Sequence, residues 1–267
     1  MDLELDGKRA LVTGGSRGIG KAVARLLAQE GAQVALLARD ARSLAAAATE
    51  LAAQSGRTVV GVRGDTTDDE QVRAAVAEAV RLLGGPIDIL VNAAAEPAGY
   101  AAPPQLAEIS AAYFHAEMNT KVMGYLRCAR EVVAGMRAQG WGRIVNVSGL
   151  AARQTGNAVG SMRNVAVAAL TKNLADELGA SGIQVTAVHP GVTRTERTAP
   201  LIAERAAAQG LSADAVEAQM AAGNSIKQLV DASEVANVIV FLCSPKSRAI
   251  NGDAIAVGGG APRAIYY

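Results

Sequence analysis

Thr13-Gly14-Gly15-Ser16-Arg17-Gly18-Ile19-Gly20 follows the apolar run Lys8-Arg9-Ala10-Leu11-Val12-Thr13. It precedes Ile19 to Glu30, where Ile19, Val23, Leu26 and Leu27 share one helical face and Gly31 ends the pattern. A glycine cluster with a strand before it and a helix after it is the setting that a dinucleotide-phosphate turn requires. The glycines permit a tight turn and let the backbone approach a pyrophosphate closely. The N-terminus of the following helix offers free N–H groups and a partial positive charge. Gly14, Ser16, Arg17, Gly18, Ile19 and Gly20 are therefore the first candidate binding residues.

Outward from this turn, short apolar runs alternate with longer helical patterns. Strands are expected at Gln33 to Ala38, Thr58 to Val62, Ile87 to Val91, Arg143 to Ser148, Ile183 to Val188 and Ala254 to Val257. Helices are expected at Ala41 to Gln54, Asp68 to Leu83, Met118 to Gln139, Val165 to Gly179 and Ser233 to Leu242. Such alternation implies βαβ crossovers: an α/β, Rossmann-like doubly wound parallel sheet with helices on both faces. Residues 194 to 228 are helical by composition and lack a strand. They read as a substrate-loop insertion over the carboxyl edge of the sheet, within a single domain spanning 1–267.

Composition fits this frame. Of 267 residues, 50% are hydrophobic and 19% charged, which supplies a core and argues against disorder. Aromatics are 3%, too few for an RNA-stacking surface, and 26 basic against 25 acidic residues give a net charge of +1, so no pull toward nucleic acid is expected. Mean hydropathy is +0.18, much of it from alanine. No run of about 18 apolar residues spans a membrane, and the acidic start Met1-Asp2-Leu3-Glu4 lacks the form of a signal peptide. Cys128 and Cys243 make neither a disulfide framework nor a metal site. A soluble, reduced, cytoplasmic protein is expected.

The Thr-Gly-x-x-x-Gly-x-Gly spacing resembles the short-chain dehydrogenase/reductase family, and the resemblance covers essentially the whole chain. Gly64-Asp65-Thr66-Thr67-Asp68 resembles the family's adenine-binding segment, and Asn92-Ala93-Ala94-Ala95 its Asn-Asn-Ala-Gly strand end. Gly142 through Ser148 resembles the strand ending in the catalytic serine. Val188-His189-Pro190-Gly191-Val192 through Thr195 resembles the nicotinamide-side loop. The resemblance implies hydride transfer between NAD(P)H and a carbonyl or alcohol, a small-molecule substrate, and a homo-oligomer, dimer or tetramer. It also adds Asp65, Thr66, Asn92, Ala93, Ala94, Pro190, Gly191, Thr193 and Thr195 to the cofactor-binding residues.

NAD sites of this type place an acid at the end of the second strand. Here that position is Ala38, followed by Arg39, with Arg17 a second cation on the same side. Two arginines suit a ribose 2′-phosphate, so NADP is expected rather than NAD. The alternative has Asp40 binding an unphosphorylated ribose.

At the catalytic positions the resemblance breaks. Alignment of Val167 through Leu178 with the family's helix puts Gly160 at its tyrosine and Asn164 at its lysine, and no tyrosine lies between Ser148 and Asn164. Ungapped alignment from Gly142 backward puts Lys121 at the family's asparagine. Asn119 reaches that place only through a two-residue insertion. The expected catalytic set is therefore Ser148, Lys121 and Asn164, a lysine and an asparagine exchanged across one pocket. A lysine there, desolvated or near a cationic ring, has a lowered pKa and can act as the acid. His189, Tyr100, Tyr113 and Tyr125 read as structural or packing residues. Two other readings stand beside an altered oxidoreductase: a non-redox lyase, dehydratase or isomerase, and a nucleotide-binding pseudo-enzyme.

Overall fold

A computed structural model describes residues 1–95 and 103–261. In chain order the elements are β1 (Arg9–Thr13), α1 (Gly18–Gln29), β2 (Gln33–Ala38), α2 (Ala41–Ser55), β3 (Val59–Arg63), α3 (Asp69–Leu82), β4 (Ile89–Asn92), α4 (Ala111–Met118), α5 (Gly124–Gln139), β5 (Gly142–Val147), α6 (Ala158–Leu178), β6 (Ile183–Pro190), β7 (Thr193–Arg194), α7 (Thr198–Gln209), α8 (Ala213–Ala221), β8 (Val230–Asp231), α9 (Ala232–Cys243) and β9 (Ala254–Val257).

Seven strands form one parallel sheet in the order β3-β2-β1-β4-β5-β6-β9. Strands buried on both faces must be apolar throughout, and β1, β4 and β5 are buried almost end to end. Val23 and Leu27 of α1, Leu51 of α2 and Ile239 of α9 cover one face. Val72 of α3, Cys128 and Val132 of α5 and Leu178 of α6 cover the other. Strand order reverses direction at β1, which lies between β2 and β4, so the carboxyl ends of β1 and β4 border the crevice where ligands bind in such sheets.

Helix starts follow local chemistry. Asp40, Asp68, Ser110 and Asn157 each accept a backbone N–H of the first turn they cap. Two expectations shift accordingly. The long helix begins at Ala111 rather than Met118, because Ser110 caps it, and it passes through a π-turn at Asn119–Met123 before continuing as α5. The helix expected from Val165 begins at Ala158, because Asn157 accepts from the Gly160 N–H at 2.7 Å. Gly160 and Asn164 thus lie on the first turns of one helix. The stretch expected as an insertion carries no strand from Thr195 to Gln228. Its entrance, Thr193–Arg194, pairs in parallel with Val230–Asp231, which ties the ends of the insertion together. Within it, Ile202, Val216, Ala221 and Leu229 form a small core of their own. Among the described residues no helix is long and apolar enough to cross a membrane, and no group of three or more ligating side chains suits a metal.

Candidate active site and nucleotide cradle

The glycine turn stands at the carboxyl end of β1. Gly14 and Gly18 have positive φ, 66° and 57°, a backbone that L side chains avoid. A methyl at Gly14 would lie 2.9 Å from the Ala93 carbonyl oxygen, and one at Gly20 would run into the Gly14 carbonyl. Thr13 fixes the neighbouring loop by accepting from Ala93 N at 3.0 Å and Ala94 N at 3.1 Å. The turn already holds an anion: both carboxylate oxygens of Glu196 accept the Gly18 N–H, at 2.9 and 3.2 Å. A cradle this close to bare backbone, with a carboxylate seated on the first N–H of α1, fits the phosphates of a dinucleotide. We expect Gly20→Ala, which forces two backbone segments apart at a cost of roughly 1–3 kcal/mol, to weaken NADPH binding about tenfold in calorimetric titration while the far-ultraviolet dichroism of the fold is kept.

At the end of β2, Ala38 is followed by the exposed Arg39. Asp40 is committed to capping α2, accepting from Ser43 N at 2.8 Å. Hydrogen bonding from Ser43 lowers its pKa, and the charges of Arg42 and Arg17 act in the same direction. Arg63 adds a cation that sequence reasoning missed, donating to the Arg39 carbonyl at 3.2 Å. Asp65 closes a turn after β3, accepting from Thr67 N at 2.9 Å and Thr67 Oγ1 at 2.8 Å, with Thr66 buried beside it. Asn92 ends β4, and its Oδ1 has no hydrogen-bond partner among the described residues. It is fully buried and donates to Asn146 Oδ1 at 2.9 Å, and Asn146 in turn donates to Thr171 Oγ1 at 3.0 Å. Ala93 and Ala94 form the loop surface.

The polar cluster lies past the end of β5. Lys121, 5% exposed, donates from Nζ to the Ser148 carbonyl at 2.7 Å and to Asn164 Oδ1 at 2.9 Å. Ser148 Oγ lies 3.0 Å from the Asn164 carbonyl and 3.2 Å from Asn164 Oδ1, and Asn164 Nδ2 donates to the Gly160 carbonyl at 2.9 Å. The structure thus joins Ser148, Lys121 and Asn164, while Asn119 is only half-buried. Burial pushes the Lys121 amine down to about 7. Arg163 reinforces this and Glu117 opposes it. Two acceptors match the two N–H bonds of a neutral amine, and a third proton is the one available for transfer.

Sequence reasoning missed the pair beneath this cluster. Arg163 and Glu117 form a short, largely buried ion pair, with side chains 11% and 15% exposed, that joins α6 to α4. The signal was available: Glu117 lies one helical turn before Lys121, and Arg163 adjoins Asn164. Gly160 offers no side chain, and a methyl there would lie 2.8 Å from Asn157 Cγ. Tyr125 is buried, donates to the Val147 carbonyl at 2.8 Å, and burial raises its pKa, so it holds its proton. Tyr113 is half-buried on α4, and Tyr100 lies outside the described residues. His189 is buried, its Nδ1 lacks a hydrogen-bond partner among the described residues, and burial pushes it down to about 4, which keeps it neutral. Gly191 and Thr193 form a closed turn, Thr193 Oγ1 donating to the Gly191 carbonyl at 3.0 Å. Pro190 ends β6, buried beside them.

A doubly wound sheet with a glycine cradle at one strand end is the architecture of the dinucleotide-binding folds. A sequence profile described as enoyl-(acyl carrier protein) reductase matches residues 14–262. The chain is 34% identical over 254 residues to the short-chain reductase protein NovJ of Streptomyces niveus, covering 95% of this chain and 93% of that one. It is 37% identical over 256 residues to the cis-4-hydroxycyclohexanecarboxylate dehydrogenase of Sinomonas cyclohexanicum, covering 94% and 95%. The L-sorbose reductase of Gluconobacter frateurii, solved with NADPH and L-sorbose, superposes with a TM-score of 0.91 at 32% identity, covering 99% of this chain and all of that one. The chain belongs to the short-chain dehydrogenase/reductase family.

Proposed function

We propose that this protein is an NADP(H)-dependent oxidoreductase acting on a carbonyl or alcohol, with Lys121 as proton donor in place of the family's tyrosine. The observation that carries the reading is the buried contact of Lys121 Nζ with Asn164 Oδ1 at 2.9 Å, beside Ser148 and at the same sheet edge as the glycine cradle. NADPH, when bound, supplies the hydride. As a carbonyl is reduced, negative charge grows on its oxygen, and Lys121, held near neutrality by burial, gives up its third proton there. Asn164 orients the amine through Oδ1 and is itself fixed by the Gly160 carbonyl. Ser148 adds a hydroxyl donor once its proton turns from Asn164 toward the substrate. The space that a side chain at Gly160 would take is filled by Asn157, which the Gly160 N–H holds in place.

The nucleotide choice rests on Arg39 and Arg17 near an alanine, with Asp40 engaged by Ser43. The relative solved with NADPH supports the same choice. A charge-assisted bond contributes about 1.5–3 kcal/mol, so Arg39→Ala should weaken NADPH binding about tenfold or more and leave NADH nearly unchanged. Equal losses for both nucleotides would overturn the 2′-phosphate assignment. Nicotinamide absorbance with a panel of ketones, aldehydes and alcohols tests the activity. No turnover on any of them, with NADPH bound, would point instead to a nucleotide-binding protein without redox chemistry. A homo-oligomer, dimer or tetramer, is part of this proposal, and light scattering measures it.

A further inference from the structure

We propose that Glu196 sets the affinity for the nucleotide by competing, within the chain, for the anion position of the glycine turn. The inference rests on the reading of that turn as a dinucleotide cradle. Gly18 opens α1, and its N–H is among the donors that a helix leaves unsatisfied at its N-terminus. Both oxygens of the Glu196 carboxylate lie on that single N–H, at 2.9 and 3.2 Å, across 178 positions of sequence. The two segments lie against each other: the Thr195 methyl stands 3.7 Å, an ordinary contact distance, from where a side chain of Gly18 would begin. The loop is held by its own turn, with Thr198 N donating to the Thr195 carbonyl at 3.0 Å and Thr195 N to Thr198 Oγ1 at 2.9 Å. Glu196 therefore reaches the glycine turn as part of the segment that leads into α7.

A carboxylate and a pyrophosphate cannot share one N–H, and two anions at this distance repel each other. Nucleotide binding has to remove Glu196 from Gly18, and the energy of that contact is subtracted from the affinity. Because Glu196 is exposed, the contact is screened by water and its effect is moderate. The same displacement removes the contact that ties the segment before α7 to the glycine turn. Glu196 is a positioning and affinity-setting residue in this scheme; it touches no reacting atom.

The test is equilibrium titration of the nucleotide-free protein with NADPH, followed by nicotinamide fluorescence, for wild type, Glu196→Gln and Glu196→Ala. Glu196→Gln keeps the shape and removes the charge. Both variants are expected to bind NADPH roughly three- to thirtyfold more tightly than wild type, the range expected for one charge-assisted contact weakened by solvent. Hydrogen–deuterium exchange without nucleotide supplies a readout independent of activity: the Gly18 amide and residues 193–209 are expected to exchange faster in both variants. Unchanged or weaker NADPH binding in both variants, with wild type binding normally, overturns the proposal and leaves the cradle intact. Failure of all three proteins to bind any dinucleotide overturns the cradle and the proposal together.

Discussion

Replacing Lys121 by methionine is expected to lower turnover by about two to four decades, the usual contribution of one general acid, while NADPH affinity stays nearly intact. Methionine keeps the length of the side chain and removes the proton. The wild-type pH profile should carry the same group. An acid with a pKa near 7 loses its proton as pH rises, so carbonyl reduction should fall about tenfold per pH unit above 7. Stability should respond in the opposite direction. The folded-state pKa of Lys121 lies below its ordinary value of 10.5. Below pH 7 both folded and unfolded chains hold the proton, and the cost of burying it is fully present. Between about 7 and 10.5 the unfolded chain binds more protons, so stability rises with pH across that window. Lys121→Met should remove that rise. Unaltered turnover in the methionine variant would sink the assignment of Lys121.

The second large effect concerns Glu117. Removing one partner of a buried ion pair leaves the other charge uncompensated, at a cost of about 3–5 kcal/mol. Glu117→Ala should therefore shift the denaturation midpoint strongly, because Arg163 is only 11% exposed and its Nε already lacks a partner among the described residues. A double variant, Glu117→Leu with Arg163→Met, should recover most of the loss, since apolar packing of similar volume replaces such pairs at little cost. A midpoint unchanged in Glu117→Ala would mean that the pair is solvated and plays no part in holding α4 against α6.

The elements with strong periodicity were the legible ones. β1, β2 and α1 announce themselves through unbroken apolar runs and the glycine turn, and seven parallel strands follow from the alternation. The start of α6 was less legible: the helix was expected only from Val165, whereas Asn157 caps a start at Ala158. The exchanged pair could be located by counting along two helices, and the two side chains do meet. Their roles remain a proposal. Asn92 shows what motif reading leaves out: its position was found, but not the bond from its Nδ2 to Asn146, which continues to Thr171. Glu196 carried no local signal at all, since its partner Gly18 lies 178 positions away at the start of α1.

The π-turn at Asn119–Met123 fixes an angle as well as a path. Each helical residue advances the side-chain direction by about 100°, and a wider turn absorbs an extra residue without breaking the axis. The Cys128 and Val132 face downstream and the Glu117 face upstream are therefore two gears meshed through one odd tooth, which carries Lys121. Deleting Val122 from the π-turn would restore a regular helix and swing Glu117 away from Arg163 by about a quarter turn, with every polar residue of the site still present in the sequence. A chain of this kind can lose or regain its chemistry through a change of length, a route invisible to any comparison of residue identities.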